Sequence, residues 1–212
     1  VGVATDGSTS AGVLVSTYYG AGSSAYLENN VFTDHTSAVA VGYDGADTSV
    51  VVARNNDFSG NENGVAFVGM GTADFSGNYW GYTVEADVAD YMAGVNAEDV
   101  DFTPYLVSGV DTDGSTNGFQ GDFSNLYATT LGSQTGAIGR VQEGINFIAD
   151  GSLTGGNRTL NLNAGEYVEN GTTIDKAMMI DGVSSNATLV VIKGAGTGNG
   201  ITLASDDISL RY

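Results

Sequence analysis

Three short segments of this chain align on one another without gaps, and that repetition constrains the fold more than any single residue. Val13-Leu14-Val15, Val39-Ala40-Val41 and Val65-Ala66-Phe67 recur at intervals of 26, and Gly12 and Gly64 precede the first and third. Between them runs a second series, Asn30-Val31-Phe32, Asn56-Asp57-Phe58 and Asn78-Tyr79-Trp80, spaced 26 and then 22. A period of about 20–30 residues, carried by short apolar alternations and glycine corners with no helical pattern, is the signature of stacked β-coils. Each coil would supply two or three short strands at the usual interstrand spacing of about 4.8 Å. Asn30, Asn56 and Asn78 are expected to form a ladder at one corner. Asparagine tolerates the left-handed backbone there, and its amide can bond to its counterpart one coil away. Phe32, Phe58 and Trp80 are expected to point inward and stack. The expected class is all-β, a β-helix solenoid with short capping helices.

Composition narrows the function classes. The chain has 32 glycines, one proline (Pro104) and no cysteine, which excludes a disulfide framework and thiol chemistry. Its 25 acidic residues face six basic ones, for a net charge of −19. Such a charge argues against nucleic acid, anionic lipid and acidic polysaccharide as partners, and suits a solvated extracellular or cell-surface setting. No run approaches 18 apolar residues, so no membrane insertion is expected. The chain begins at Val1, and it is expected to be processed or a slice of something longer.

The order of elements reads as three parts. Residues 1–106 carry the repeats and an end cap: Val84, Val88, Met92 and Val95 fall on one helical face and read as a short amphipathic helix or turn, and 99–106 reads as an extended closing strand. Residues 107–137, rich in Gly, Ser, Thr and Asp, read as a linker pinned by Phe119, Phe123 and Tyr127. In 138–212 the pattern restarts: Ile138, Val141, Ile145 and Ile148 predict a helix ended by Asp150-Gly151. Short strands then follow around Leu160–Leu162, Tyr167, Ile174, Met178–Ile180, Leu189–Ile192, Ile201–Leu203 and Ile208–Leu210. The later coils of one β-helix thus precede the first coils of another. If Tyr212 ran into Val1 of another copy, Gly200-Ile201-Thr202-Leu203 would precede Gly12-Val13-Leu14-Val15 by 24 residues, close to the internal period.

Gly139–Asn146, Leu160–Asn170 with its Ala164-Gly165-Glu166-Tyr167-Val168-Glu169, and Ile174-Asp175-Lys176 resemble the opening of pectate-lyase-like right-handed parallel β-helix domains. Asn78-Tyr79-Trp80-Gly81 with Val100–Leu106 is similar to the closing segment of such domains in bacterial and archaeal extracellular surface proteins, which carry them in tandem arrays. The resemblance covers residues 1–106 and 138–212 and implies the right-handed β-helix; it carries little information on activity.

Enzymatic members of that superfamily cleave polyuronides, with clustered aspartates for Ca²⁺ and a basic residue, or with paired carboxylates. Asp206-Asp207 is the only adjacent acidic pair in the predicted coils, and it reads as a turn. No basic residue is accompanied by an acidic cluster at coil spacing, so no enzyme is expected and no catalytic residue is assigned. His35 reads as an exposed loop residue. Asp111, Asp113 and Asp122 are candidate Ca²⁺ ligands, although the full calcium-loop pattern is incomplete; no other cofactor is expected. Asn157, Asn170 and Asn186 fit glycosylation acceptor patterns. Tyr18 and Tyr19, with Tyr26 and Tyr43, are candidate glycan contacts or packing residues.

The leading expectation is a structural repeat unit of an extracellular surface protein or filament. Copies would join head to tail through Ile201, Leu203, Ile208, Leu210 and Tyr212 on one side and Val1, Val3, Val13 and Val15 on the other. The alternatives are a carbohydrate-binding or adhesive domain and, further off, a polysaccharide lyase or hydrolase.

Overall fold

The computed structural model describes residues 10–183, 190–196 and 199–211. Val1, Val3 and Tyr212 of the expected interface, together with Leu189 and the Asn186 acceptor, lie outside the described residues. The protein is mostly β with few helices, and its several sheets are mainly parallel and open. It divides into two compact units. The first takes the described residues up to Phe102 with Ser108–Gly121 and Leu131–Thr135; the second takes Thr103–Val107, Asp122–Thr130 and the residues from Gly136 onward. The stretch expected as a linker, 107–137, is therefore shared between both units. Thr103–Val107, expected to close the first part, belongs to the second.

The first unit contains β1 (Ala11–Val15), β2 (Ser24–Glu28), β3 (Val31–Thr33), β4 (Ser37–Val41), β5 (Val50–Arg54), β6 (Asp57–Gly60), β7 (Asn63–Phe67), β8 (Thr72–Asp74), α1 (Glu85–Asp90) and β9 (Met92–Ala93). The repeat is the pairing register. Val13 pairs with Val39 and Val39 with Val65, while Val15 pairs with Val41 and Val41 with Phe67, all in parallel. A second sheet runs β2-β5-β8, and β3 pairs with β6. Every residue of β4 is buried, since strands flank it on both sides. The spacing shortens from 26 to 22 because only residues 68–71 join β7 to β8, where residues 42–49 join β4 to β5. The shorter loop lies on the longer one, with Met70 N donating to Asp47 O at 2.7 Å and Thr72 N to Ser49 O at 3.2 Å.

At the corner, two jobs are divided between successive residues. The left-handed conformation falls to Asn29 (φ 60°), Asn55 (φ 53°) and Gly77 (φ 73°), one position before the ladder. The ladder itself is Asn30, Asn56 and Asn78: Asn30 N and Nδ2 both donate to Asn56 Oδ1 at 2.9 Å, and Asn56 N and Nδ2 both donate to Asn78 Oδ1 at 2.9 Å. Residues 118–121 close over this corner, with Phe119 N donating to Asn29 O and Gly121 N to Asn55 Oδ1. Alongside, Phe32 stacks on Phe58 (5.1 Å) and Phe58 on Trp80 (5.0 Å). Asn56→Ala strands the Asn30 donors and the Leu27 and Arg54 carbonyls that Asn56 Nδ2 serves. We expect it to cost about 2–4 kcal/mol by urea unfolding, against under about 1 kcal/mol for Asn30→Ala at the exposed rung. Equal costs for the two rungs would contradict the role assigned to burial.

Two local expectations are corrected. The short amphipathic helix or turn expected from Val84, Val88, Met92 and Val95 is α1, and it does not carry all four on one face. Val88 is buried, but Val84 and Val95 are exposed, and Met92 leaves the helix for β9, where it pairs with Val65. Backbone pairing with an existing sheet outcompetes further helical turns. His35 is half-buried rather than exposed, because its ring lies against Gly12, where a side chain would collide with it.

The second unit contains β10 (Tyr105–Leu106), β11 (Asn125–Ala128), α2 (Arg140–Phe147), α3 (Gly151–Thr154), β12 (Thr159–Asn163), β13 (Gly165–Glu169), β14 (Thr172–Ile174), β15 (Met179–Val183), β16 (Val190–Gly194), β17 (Ile201–Leu203) and β18 (Ser209–Arg211). Its largest sheet runs β10-β11-β12-β15-β18, antiparallel only at β10, and β13-β16 and β14-β17 form parallel pairs. The closing strand expected over 99–106 is reduced to β10. Helix α2 matches its apolar spacing, with Val141, Ile145 and Ile148 buried; Ile138 is left outside and exposed. Its first turn is capped from a distance. Glu169, buried, accepts from Val141 N at 2.8 Å and Gln142 N at 3.2 Å, which suits a carboxylate at a helix N-terminus.

Candidate functional site

The most exposed aromatic cluster of the described residues sits on the loops that leave β1 and β4. Tyr18 and Tyr19 occupy a 3₁₀ turn, Thr17–Tyr19, and Tyr43 follows β4. Tyr18 contacts Tyr19 (4.8 Å, 81°) and Tyr43 (5.1 Å, 88°) edge to face. Tyr19 is 95% exposed. The backbone beneath is held tightly.

The holding group is Asp47. Its buried carboxylate accepts from Ser16 Oγ (3.1 Å), Thr17 N (2.8 Å), Tyr43 N (3.2 Å), Ser49 N (2.8 Å) and Ser49 Oγ (2.6 Å). One side chain therefore ties both tyrosine-bearing loops together. Burial works against its ionisation, but the bonds from Ser49, Thr17 and Ser16 outweigh burial and hold the carboxyl well below the usual carboxylate range. Ser23 Oγ adds a bond to Ser16 O at 2.7 Å. The neighbouring Asp44 carboxylate raises the Tyr43 phenol above its ordinary value. Asp47 is inconspicuous in the sequence. Its one legible signal is the spacing Asp-x-Ser, in which a carboxylate accepts from the residue two places on.

That signal recurs and explains much of the acidity. Asp57 with Ser59, Asp74 with Ser76, Asp113 with Ser115, Asp122 with Ser124 and Asp150 with Ser152 make the same local bond. The candidate calcium ligands fall in this class. Asp111 Oδ1 accepts from Asp113 N and Gln120 N, while Asp113 accepts from Ser115 and Thr116, bonds that lower its carboxyl below the ordinary value. Asp122 belongs to the other unit, where it caps the turn before β11. The geometry gives all three a turn-forming role. Asp207 sits at a left-handed turn position (φ 57°) with Asp206 exposed beside it.

The residues expected at an assembly interface occupy strand edges. Among the described residues, β1, β2 and β3 each have a partner strand on one side only, and so do β16, β17 and β18. Val13 and Ile201 are half-buried, Leu203 and Leu210 are exposed, and Val15 is buried. Ile201 and Leu203 continue the positions of Thr172 and Ile174, both fully buried one strand further in, so they face the interior row and lack cover only on their open side. A missed element of the first unit is Tyr91, whose hydroxyl donates to the Phe58 carbonyl at 2.8 Å and accepts from Asn61 N at 3.1 Å. No helix among the described residues is long and apolar enough to cross a membrane. No protein-family model, curated protein or solved structure matches this chain.

Proposed function

We propose that the chain is a non-catalytic structural module of an extracellular surface protein or filament, built from coils of a right-handed parallel β-helix of the pectate-lyase-like kind. Copies join head to tail, with β17 of one copy laid beside β1 of the next. The observation that carries this reading is the pair of open strand edges. Each presents a row of backbone groups without proline, and β1, β2, β3 and β17 carry no lysine, the usual devices against edge pairing. Each backbone bond formed by stacking is worth about 0.5–1.5 kcal/mol, and half-covered Val13 and Ile201 would be buried at the same time.

The test exploits the absence of cysteine. In the register that continues the repeat, Ile201 stands opposite Val13 of the neighbouring copy. Paired residues of adjacent strands have Cα atoms about 5 Å apart, within disulfide reach. Oxidation of the Val13→Cys/Ile201→Cys double variant is expected to give a ladder of disulfide-linked multimers on a non-reducing gel, and Val13→Cys/Asp206→Cys is expected to give far less. Only monomer at every concentration, with native circular dichroism, would overturn the assembly.

A second reading is favoured by the exposure of Tyr19: a carbohydrate-binding surface in which sugar rings pack on Tyr18, Tyr19 and Tyr43. Retention on a polysaccharide column that falls at least about fivefold in Tyr18→Ala/Tyr19→Ala, with the unfolding midpoint unchanged, is the expected result on that reading. Retention equal to the parent protein excludes it.

A further inference from the structure

One cavity in the second unit carries a charge pattern unlike the rest of the chain. It measures about 620 Å³ and lies between residues 151–158, the segment Ala177–Met179 and residues 207–211. That volume suits a small organic molecule. Two of the chain's six basic residues, Arg158 and Arg211, line it, against the single carboxylate of Asp207.

Neither arginine is neutralised closely. Arg211 Nε stands 3.9 Å from Asp181 Oδ2, and its side chain is 57% exposed. Arg158 has no carboxylate partner among the described residues. One of its Nη atoms donates to Thr154 Oγ1, and its Nε is buried with no partner. Two guanidinium groups against one carboxylate give the cavity the opposite balance to the chain as a whole, which has 25 acidic residues and six basic ones. The covered Nε does not open onto the cavity, so a ligand there would meet the Nη groups of Arg158.

The chemistry of a ligand there follows from the guanidinium N–H groups, which favour an oxyanion. The field of a chain at −19 opposes multiply charged ligands, so a singly charged carboxylate is favoured over a phosphate dianion. Ser152, Asn157 and Ser209 offer neutral hydrogen-bonding groups around the rim, and Met178 and Met179 an apolar wall. We propose that this cavity binds a small hydroxylated monocarboxylate, with Arg158 holding the carboxylate and Arg211 assisting from the open side. Ser209 and Arg211 belong to β18, one of the open edges described above, so the site is tested on the unassembled chain.

The experiment is a titration of the ¹⁵N-labelled protein with sodium gluconate at constant ionic strength, in parallel with sodium phosphate. Saturable shifts confined to residues 151–158, 177–179 and 207–211 are expected with Kd at or below about 1 mM. Arg158→Gln is expected to weaken gluconate at least about tenfold, and Arg158→Lys less, because the charge remains while the fork is lost. Both variants keep their unfolding midpoint on this proposal, and the lysine variant serves if the glutamine variant does not fold. Shifts that stay linear to about 50 mM, or equal affinity in the variants, overturn the site. Phosphate binding more tightly than gluconate overturns the carboxylate assignment.

Discussion

Asp47→Ala is expected to lower the unfolding free energy by about 3–5 kcal/mol, one of the largest single losses in this protein. The carboxylate receives five donors from four residues, and removing it leaves Thr17 N, Tyr43 N and Ser49 N without their acceptor. Asp47→Asn should cost less, since one oxygen remains to accept while the new NH₂ group confronts donors. The pH dependence has a definite sign. The folded carboxyl lies below the ordinary value of about 3.9, so the folded state binds fewer protons than the unfolded chain at acidic pH. The stabilisation is complete above about pH 4 and is lost as pH falls through the folded pKa. Asp74 adds in the same direction: burial opposes its ionisation, but its ion pair with Arg54 wins. Urea unfolding at pH 6 and pH 3 checks this. The parent protein should lose more stability than Asp47→Asn between the two values, and parallel losses would refute the assignment.

Gly71→Ala is expected to be comparably severe, above about 3 kcal/mol, while Gly45→Ala stays within about 0.5 kcal/mol. A Cβ at Gly71 would be driven into the Ser49 carbonyl oxygen, which is backbone and already bonded to Thr72 N. At Gly45 nothing lies within 4 Å. Both changes bring the same gain in unfolded-chain restriction, so the difference isolates the close approach of two loops. Because Ser49 also donates to Asp47, Gly71→Ala should additionally loosen the tyrosine turn. Faster hydrogen exchange at Thr17 and Tyr43 in that variant, with none in Gly45→Ala, is the accompanying readout.

Much of the architecture was legible because a repeat must satisfy the same environment again and again. Val13, Val39 and Val65 could be aligned from the sequence alone, and they are the paired residues of the first sheet. Asn56 and Phe58 could be placed at an inner corner for the same reason. The periodicity of Val141, Ile145 and Ile148 marked α2, since only a helix brings those positions to one face. The pattern at Val84–Val95 misled because four spaced apolar residues also suit a single turn followed by a strand, and the free edge of β7 decides in favour of β9.

What the amino-acid order settled without help is local: which residues alternate, where glycine and asparagine turn the chain, and which aspartates bond two residues on. Tertiary structure alone decided the rest. Asp47 and Asp113 share the Asp-x-Ser spacing, yet only Asp47 is buried and gathers donors from residues 30 positions away. Likewise, Glu169 becomes the cap of α2, and Thr103–Val107 leaves the unit that the sequence suggested for it. Desolvation and hydrogen bonding over long chain separations set those roles, and neither is a property of a short window of residues.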